Sequence, residues 1–242
     1  MTPFFAPKWP EKRLIEAPRN AGIAVPDGHA LDRFASIYLA AIPQADLVGQ
    51  WAVKGMDKLF DMLGKPGLAR TELGSLGPWP ALAEGTVPWT QALQGRTVLL
   101  VHPFGQSIRA QYERRQEIKT VRDILPDFDL KTLRPPVTFA GEPSPGLWEE
   151  NLADLTSRVA RESFDVAIIG CGAYGFPLGA FVKMLGRKAI HLGGATQLLF
   201  GIKGKRWVEQ EDFAPFIGSG WISPAEEEKP KGADAIEEGC YW

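Results

Sequence analysis

The chain has 242 residues, 45% hydrophobic and 23% charged, with a formal net charge of −2. One large domain with a substantial core fits that length, and the charge balance offers neither a basic face for nucleic acid nor a dominant acidic tail. No run approaches the roughly 18–20 apolar residues of a membrane helix.

The start, MTPFFAPKWPEKR, has no charged segment leading into an apolar stretch, so no signal peptide is read and a cytoplasmic location is expected. The two cysteines, Cys171 and Cys240, are too few and too far apart for a disulfide framework or a metal motif. His29, His102 and His191 fit no zinc spacing. Eight tryptophans and 20 prolines suggest long ordered loops with aromatic anchors.

In chain order, the proline-rich residues 1–26 read as an extended or irregular arm. Asp27 can cap a helix to about Ile42, with Leu31, Phe34, Tyr38 and Ile42 on one apolar face. Leu47 to Val53 is ambiguous, Met56 to Leu63 reads as a short helix, and Gly64 to Pro88 as a Gly/Pro-rich loop. A short helix over Thr90 to Leu93 precedes the first buried strand, Thr97 to Val101, and a basic helix is expected from Ser107 to Lys119. Strand candidates follow at Leu130 to Leu133 and Val137 to Ala140, then a turn through Gly141, Pro143, Ser144 and Pro145. Ser144 as cap and Pro145 as first residue would open a helix to about Glu162, with Trp148, Leu152, Leu155 and Val159 facing the core.

The stretch Phe164 to Gly175, FDVAIIGCGAYG, organises the rest. Val166 to Gly170 is an uninterrupted apolar run, as in a central strand buried on both faces of a parallel sheet. Gly170, Gly172 and Gly175 form G-x-G-x-x-G before a helix over Phe176 to Leu185, and Lys188 to Leu192 is the next strand. The alternation of strand and helix indicates a Rossmann-like three-layer α/β fold with a mostly parallel sheet and an irregular, partly helical N-terminal region. Expected boundaries are 1–95 for the N-terminal arm and helical region, 96–210 for the core and 211–242 for a partly mobile tail.

Such a fold places ligands at the carboxyl ends of its strands. Candidate ligand-binding residues are therefore Pro103, Phe104 and Gln106 after the first buried strand, and Gly170, Gly172, Ala173, Tyr174 and Gly175 after the central one. His102 is the candidate catalytic residue, as a base or a hydrogen-bonding group, against the alternative of a half-buried structural histidine. Gly193, Gly194 and Gln197 open a third cup for an anion, and Lys203, Lys205 and Arg206 form a flexible basic loop beside it, with Trp207 available for stacking. A dinucleotide site wants an acid about 20 residues past the glycines, where this chain has His191-Leu192-Gly193-Gly194. Cys171 reads better as a small buried residue in a tight turn than as a nucleophile.

The segments VLLVHPFGQSI, DVAIIGCGAYG and KAIHLGGATQLLFGIKGKRW, with Asp46 to Trp51 and the closing Glu238 to Trp242, resemble bacterial polysaccharide-cluster proteins related to the GT-D type glycosyltransferases. The resemblance runs from about Asn20 onward. It implies a nucleotide-sugar donor and a glycan or glycoprotein acceptor. Family members carry an Asp-x-Glu motif near the N-terminus, tied to donor or metal (Mn or Mg) binding, whereas the N-terminal arm here offers only Glu11 and Glu16. On that resemblance, either the chain begins downstream of the motif or it is a divergent or inactive relative. The alternatives are a non-catalytic scaffold of a glycan pathway, and a nucleotide-cofactor enzyme such as a methyltransferase or oxidoreductase.

Overall fold

The computed structural model of the chain describes residues 9–50, 53–138, 144–209, 216–230, 232–233, 239 and 241–242. Where an irregular arm is expected, Glu11–Ala21 forms helix α1. Glu11 to Ala17 are mostly good helix formers, and the helix continues through Pro18 at the cost of the N–H bond that position would give to Leu14 O. Gly22, at φ 66°, stops the helix in the left-handed conformation. Helix α2 (Gly28–Ala41) begins as read, with the Asp27 carboxylate accepting from Ala30 N–H at 2.8 Å. A 3-10 turn through Pro43 follows it.

Strand β1 (Leu47–Gln50), helix α3 (Met56–Leu63) and strand β2 (Ala69–Glu72) come next, β1 and β2 pairing in parallel. The expected loop from Gly64 to Pro88 thus holds β2, a 3-10 turn at Leu73–Leu76 and helix α4 (Trp79–Ala83). The partner of β2 lies over 20 positions back along the chain, and its short ARTE sequence carries no period of its own. A 3-10 helix at Trp89–Leu93 leads into the core.

Strand β3 (Thr97–Val101) is followed by α5 (Gly105–Glu113), a short 3-10 turn, α6 (Lys119–Arg122) and β4 (Asp129–Leu133). The single helix expected to run to Lys119 breaks at Arg114, and the turned chain buries Ile118, Val121 and Ile124 fully. Val137 and Thr138 lie in no strand, and the rest of that candidate, with Gly141 and Pro143, falls outside the described residues. Helix α7 (Trp148–Arg161) starts three residues later than expected. Its cap is Leu147, whose N–H donates to Glu150 at 2.8 Å, while Ser144 donates to Gly146 O. Strand β5 (Val166–Ile169), helix α8 (Gly175–Met184), strand β6 (Lys188–His191) and a 3-10 helix at Gly193–Phe200 complete the alternation.

The four core strands form one parallel sheet in the order β4-β3-β5-β6, consistent with a Rossmann-like α/β fold. Side chains alternate across it. Val98, Leu100, Val166 and Ile168 enter a cluster with Ile108, Ile118 and Phe200. Leu99, Val101, Ala167 and Ile169 enter a second cluster with Trp148, Leu155, Val159 and Leu178. The N-terminal helices pack on that second face through Leu14, Ala30, Leu31 and Phe34.

Beyond β6, Lys205–Val208 forms one helical turn, α9. Ile222 then runs beside Ile202, with Lys203 N–H donating to Ile222 O at 2.8 Å. Parts of the tail among the described residues are anchored to the core. Glu226–Glu228 forms a 3-10 turn and Glu228 is buried, while Lys205 N–H donates to the Trp242 carbonyl. No helix among the described residues is long and apolar enough to cross a membrane.

Candidate functional site

The chain leaves β3 towards β4 on one side of the sheet, and leaves β5 towards β6 on the other. Between their carboxyl ends lies the switch point at which open α/β sheets bind ligands. The segments His102 to Gln106 and Gly170 to Gly175 meet there, as the sequence leads one to expect. Much of the space between them is taken by protein. His102 is 3% exposed, its Nδ1 accepts from Phe104 N–H at 3.0 Å, and burial lowers its pKa to about 3. A Cβ added at Gly170 would lie 2.5 Å from the His102 ring and 2.7 Å from both Gly193 O and Thr196 Oγ1. Gly175 likewise faces the ring of His191, whose Nδ1 lies 3.1 Å from Ile169 O and whose pKa burial lowers.

Gly172 differs from its two partners. It adopts φ 56° with open space beside it. With Ala173 it forms one wall of an apolar cavity of about 480 Å³ completed by Ile23, Phe34, Tyr38 and Leu39. Burial raises the Tyr38 phenol above its usual range. Tyr174 turns inward, stacked on Trp148 at 5.6 Å, with its hydroxyl 3.0 Å from Thr138 Oγ1. Cys171 is buried, and that burial raises its thiol well above the ordinary value, the inert filler the sequence suggests.

The third glycine pair divides in the same way. Gly193 is open at φ 57°, whereas Gly194 packs under the Tyr241 ring and Trp207. Gln197 is fully buried. Its Nε2 donates to Ile202 O and Tyr241 O, each at 3.3 Å, and its Oε1 has no partner among the described residues. The basic segment is the ordered turn α9 rather than a flexible loop, because Gly204 is extended at its start and Trp207 is anchored in the core. Arg206 lies over the Tyr241 ring, 5.1 Å from its centre. Lys203 and Lys205 instead line a cavity of about 270 Å³ with Gly204, Val208, Glu209, Ser223 and Trp242. Trp242 connects this cleft to the switch point, its ring 5.8 Å from that of Phe104.

Sequence reasoning missed Glu228. Its carboxylate sits at the N-terminus of α5, accepting from Gln106 N–H at 2.7 Å, Ser107 N–H at 3.1 Å and Ser107 Oγ at 2.5 Å. In the sequence it is the last of three glutamates, a pattern that normally means a solvated run, and nothing local marks one of them as buried. Pro103 is half-buried and the Gln106 side chain is exposed. No three His, Cys, Asp or Glu side chains among the described residues gather as a metal site. Comparison with models of known families, with curated proteins and with solved structures gives no match.

Proposed function

We propose that the protein is a glycosyltransferase that holds a nucleotide sugar by its diphosphate in the cleft of Lys203 and Lys205. The observation that carries this reading is the cleft itself. Two lysines and a serine hydroxyl share a cavity with a tryptophan, beside the switch point of a parallel sheet. The cations suit a diphosphate, and the indole suits a base or a sugar face. In transfer, the acceptor oxygen bonds to the anomeric carbon as that carbon's bond to the diphosphate breaks, and the acceptor's proton passes to the departing diphosphate or to water. The lysines would then neutralise the growing charge of the leaving diphosphate. His102, at the switch point, is a neutral ring that shapes the turn of Phe104, whose ring in turn meets that of Trp242.

A second reading, a nucleotide-sugar-binding scaffold without transfer, draws on the burial of His102 and on Glu209 as the one acid lining the cleft among the described residues. Calorimetric titration with UDP and GDP, followed by donor-hydrolysis assays on the matching sugar nucleotides, separates the two. The transferase reading requires binding and turnover, and the scaffold reading binding alone. The double variant Lys203→Ala with Lys205→Ala should bind at least about tenfold more weakly while melting as the native chain does. Unchanged affinity in that folded variant removes the cleft from the site.

A further inference from the structure

We infer that Glu228 is a positioning residue: a pin that holds the strap of residues 223–230, and with it Ser223, against the start of α5 as one wall of the basic cleft. This rests on the nucleotide reading above for what the wall does, but the pin is argued from the contacts alone.

The strap reaches α5 at two points. The Glu228 carboxylate takes Gln106 N–H, Ser107 N–H and the Ser107 hydroxyl, and Ser107 Oγ in turn accepts from Ala225 N–H at 2.8 Å. Glu228 is 5% exposed, so its charge is supported by these donors and by the positive end of α5 rather than by water. Helix α5 is nine residues long and begins just past β3, so its first free N–H groups lie at the switch point. An acidic side chain drawn from 121 positions away meets that need. Ser223, the strap's contribution to the cleft, lies five positions before the pin. Trp242, on the same cleft, is fastened separately, its carbonyl accepting from Lys205 N–H. Loss of the carboxylate takes the acceptor from Gln106 N–H, Ser107 N–H and the Ser107 hydroxyl, and it loosens the wall facing Lys203 and Lys205.

The test uses the full chain and hydrogen exchange read amide by amide, with UDP titration beside it. Glu228→Gln keeps the shape, removes the charge and sets an NH₂ against a donor. In that variant Gln106 and Ser107 amides should exchange about tenfold faster or more, and that of Ala225 should follow, while β3 and β5 amides keep their protection. UDP should bind several-fold more weakly. Ser107→Ala, which deletes one donor and the acceptor for Ala225 N–H, should show the same pattern at smaller size and serves if Glu228→Gln does not fold. Native-like exchange at Gln106, Ser107 and Ala225 in a folded variant overturns the pin. Faster exchange with unchanged UDP affinity overturns its role in positioning the cleft. A native chain that binds neither UDP nor GDP removes the nucleotide reading, and the pin is then decided by exchange alone.

Discussion

The imidazole of His102 stands where a side chain at position 170 would have to go, with Gly170 leaving 2.5 Å between that ring and the nearest carbon it could carry. The contact is closed from two other sides by Gly193 O and Thr196 Oγ1. Gly170→Ala therefore cannot be absorbed by one flexible side chain, since a backbone oxygen would also have to move. The substitution should destabilise the fold by about 1–3 kcal/mol, as overpacking does. Urea denaturation measures it, and a midpoint equal to the native one would show that the strand end yields more easily than the geometry states.

The same histidine sets a pH dependence. Its folded pKa, about 3, lies below the unfolded value near 6.5, because burial disfavours the imidazolium. The unfolded chain thus binds the proton first as pH falls. The stability tied to a neutral His102 is complete above about pH 6.5 and is lost progressively from there towards pH 3, at up to about 1.4 kcal/mol per pH unit. His102→Asn can still accept from Phe104 N–H yet has nothing to titrate. Between pH 7 and pH 4.5 its urea midpoint should fall less than that of the native chain, and parallel losses would assign the acid sensitivity elsewhere.

The strands were the most legible part of the fold. Val98 to Val101 and Val166 to Ile169 are apolar throughout because both faces of the sheet are covered, and that shows in composition alone. Helix α1 was hidden by its prolines: Pro10 is the N-cap, where proline is tolerated, but Pro18 is inside the helix, where local propensity argues against one. Strand β2 was hidden because its pairing is non-local.

The candidate site was half legible. Glycines point to close approach without saying what approaches. At Gly170, Gly175 and Gly194 it is His102, His191 and Tyr241, whereas Gly172 and Gly193 face open space. Lys203 and Lys205 could be read as cations beside a strand end, but their neighbours Ser223 and Trp242 come from the far end of the chain. Long-range partners of that kind leave no local trace.

Cys171 should behave as a core residue. Its thiol is 6% exposed and its pKa is raised by burial, so little thiolate forms at neutral pH. In a chain carrying Cys240→Ser, a disulfide reagent should label no sulfur until denaturant unfolds the protein. Fast labelling of one equivalent under native conditions would mean that the turn after β5 opens readily.

Thr138 should matter more than Tyr174, although they share a hydrogen bond. Thr138 Oγ1 donates to Gly22 O at 2.6 Å and lies 3.0 Å from the Tyr174 hydroxyl, with its own proton committed to Gly22. The tyrosine proton therefore goes to Thr138. Tyr174→Phe removes that donor but strands no buried proton, because Asn151 Nδ2 keeps Ser144 Oγ at 2.8 Å and Gly146 O at 3.2 Å. Its cost should be about 1 kcal/mol. Thr138→Val has nearly the same shape, yet it leaves Gly22 O without its donor and the buried Tyr174 proton without its acceptor. That variant should lose about 2–3 kcal/mol. Adding Tyr174→Phe to it should recover part of the loss, because the stranded hydroxyl is then gone. Denaturation of the two single variants and the double variant measures all three, and simple additivity would show that the pair is not coupled.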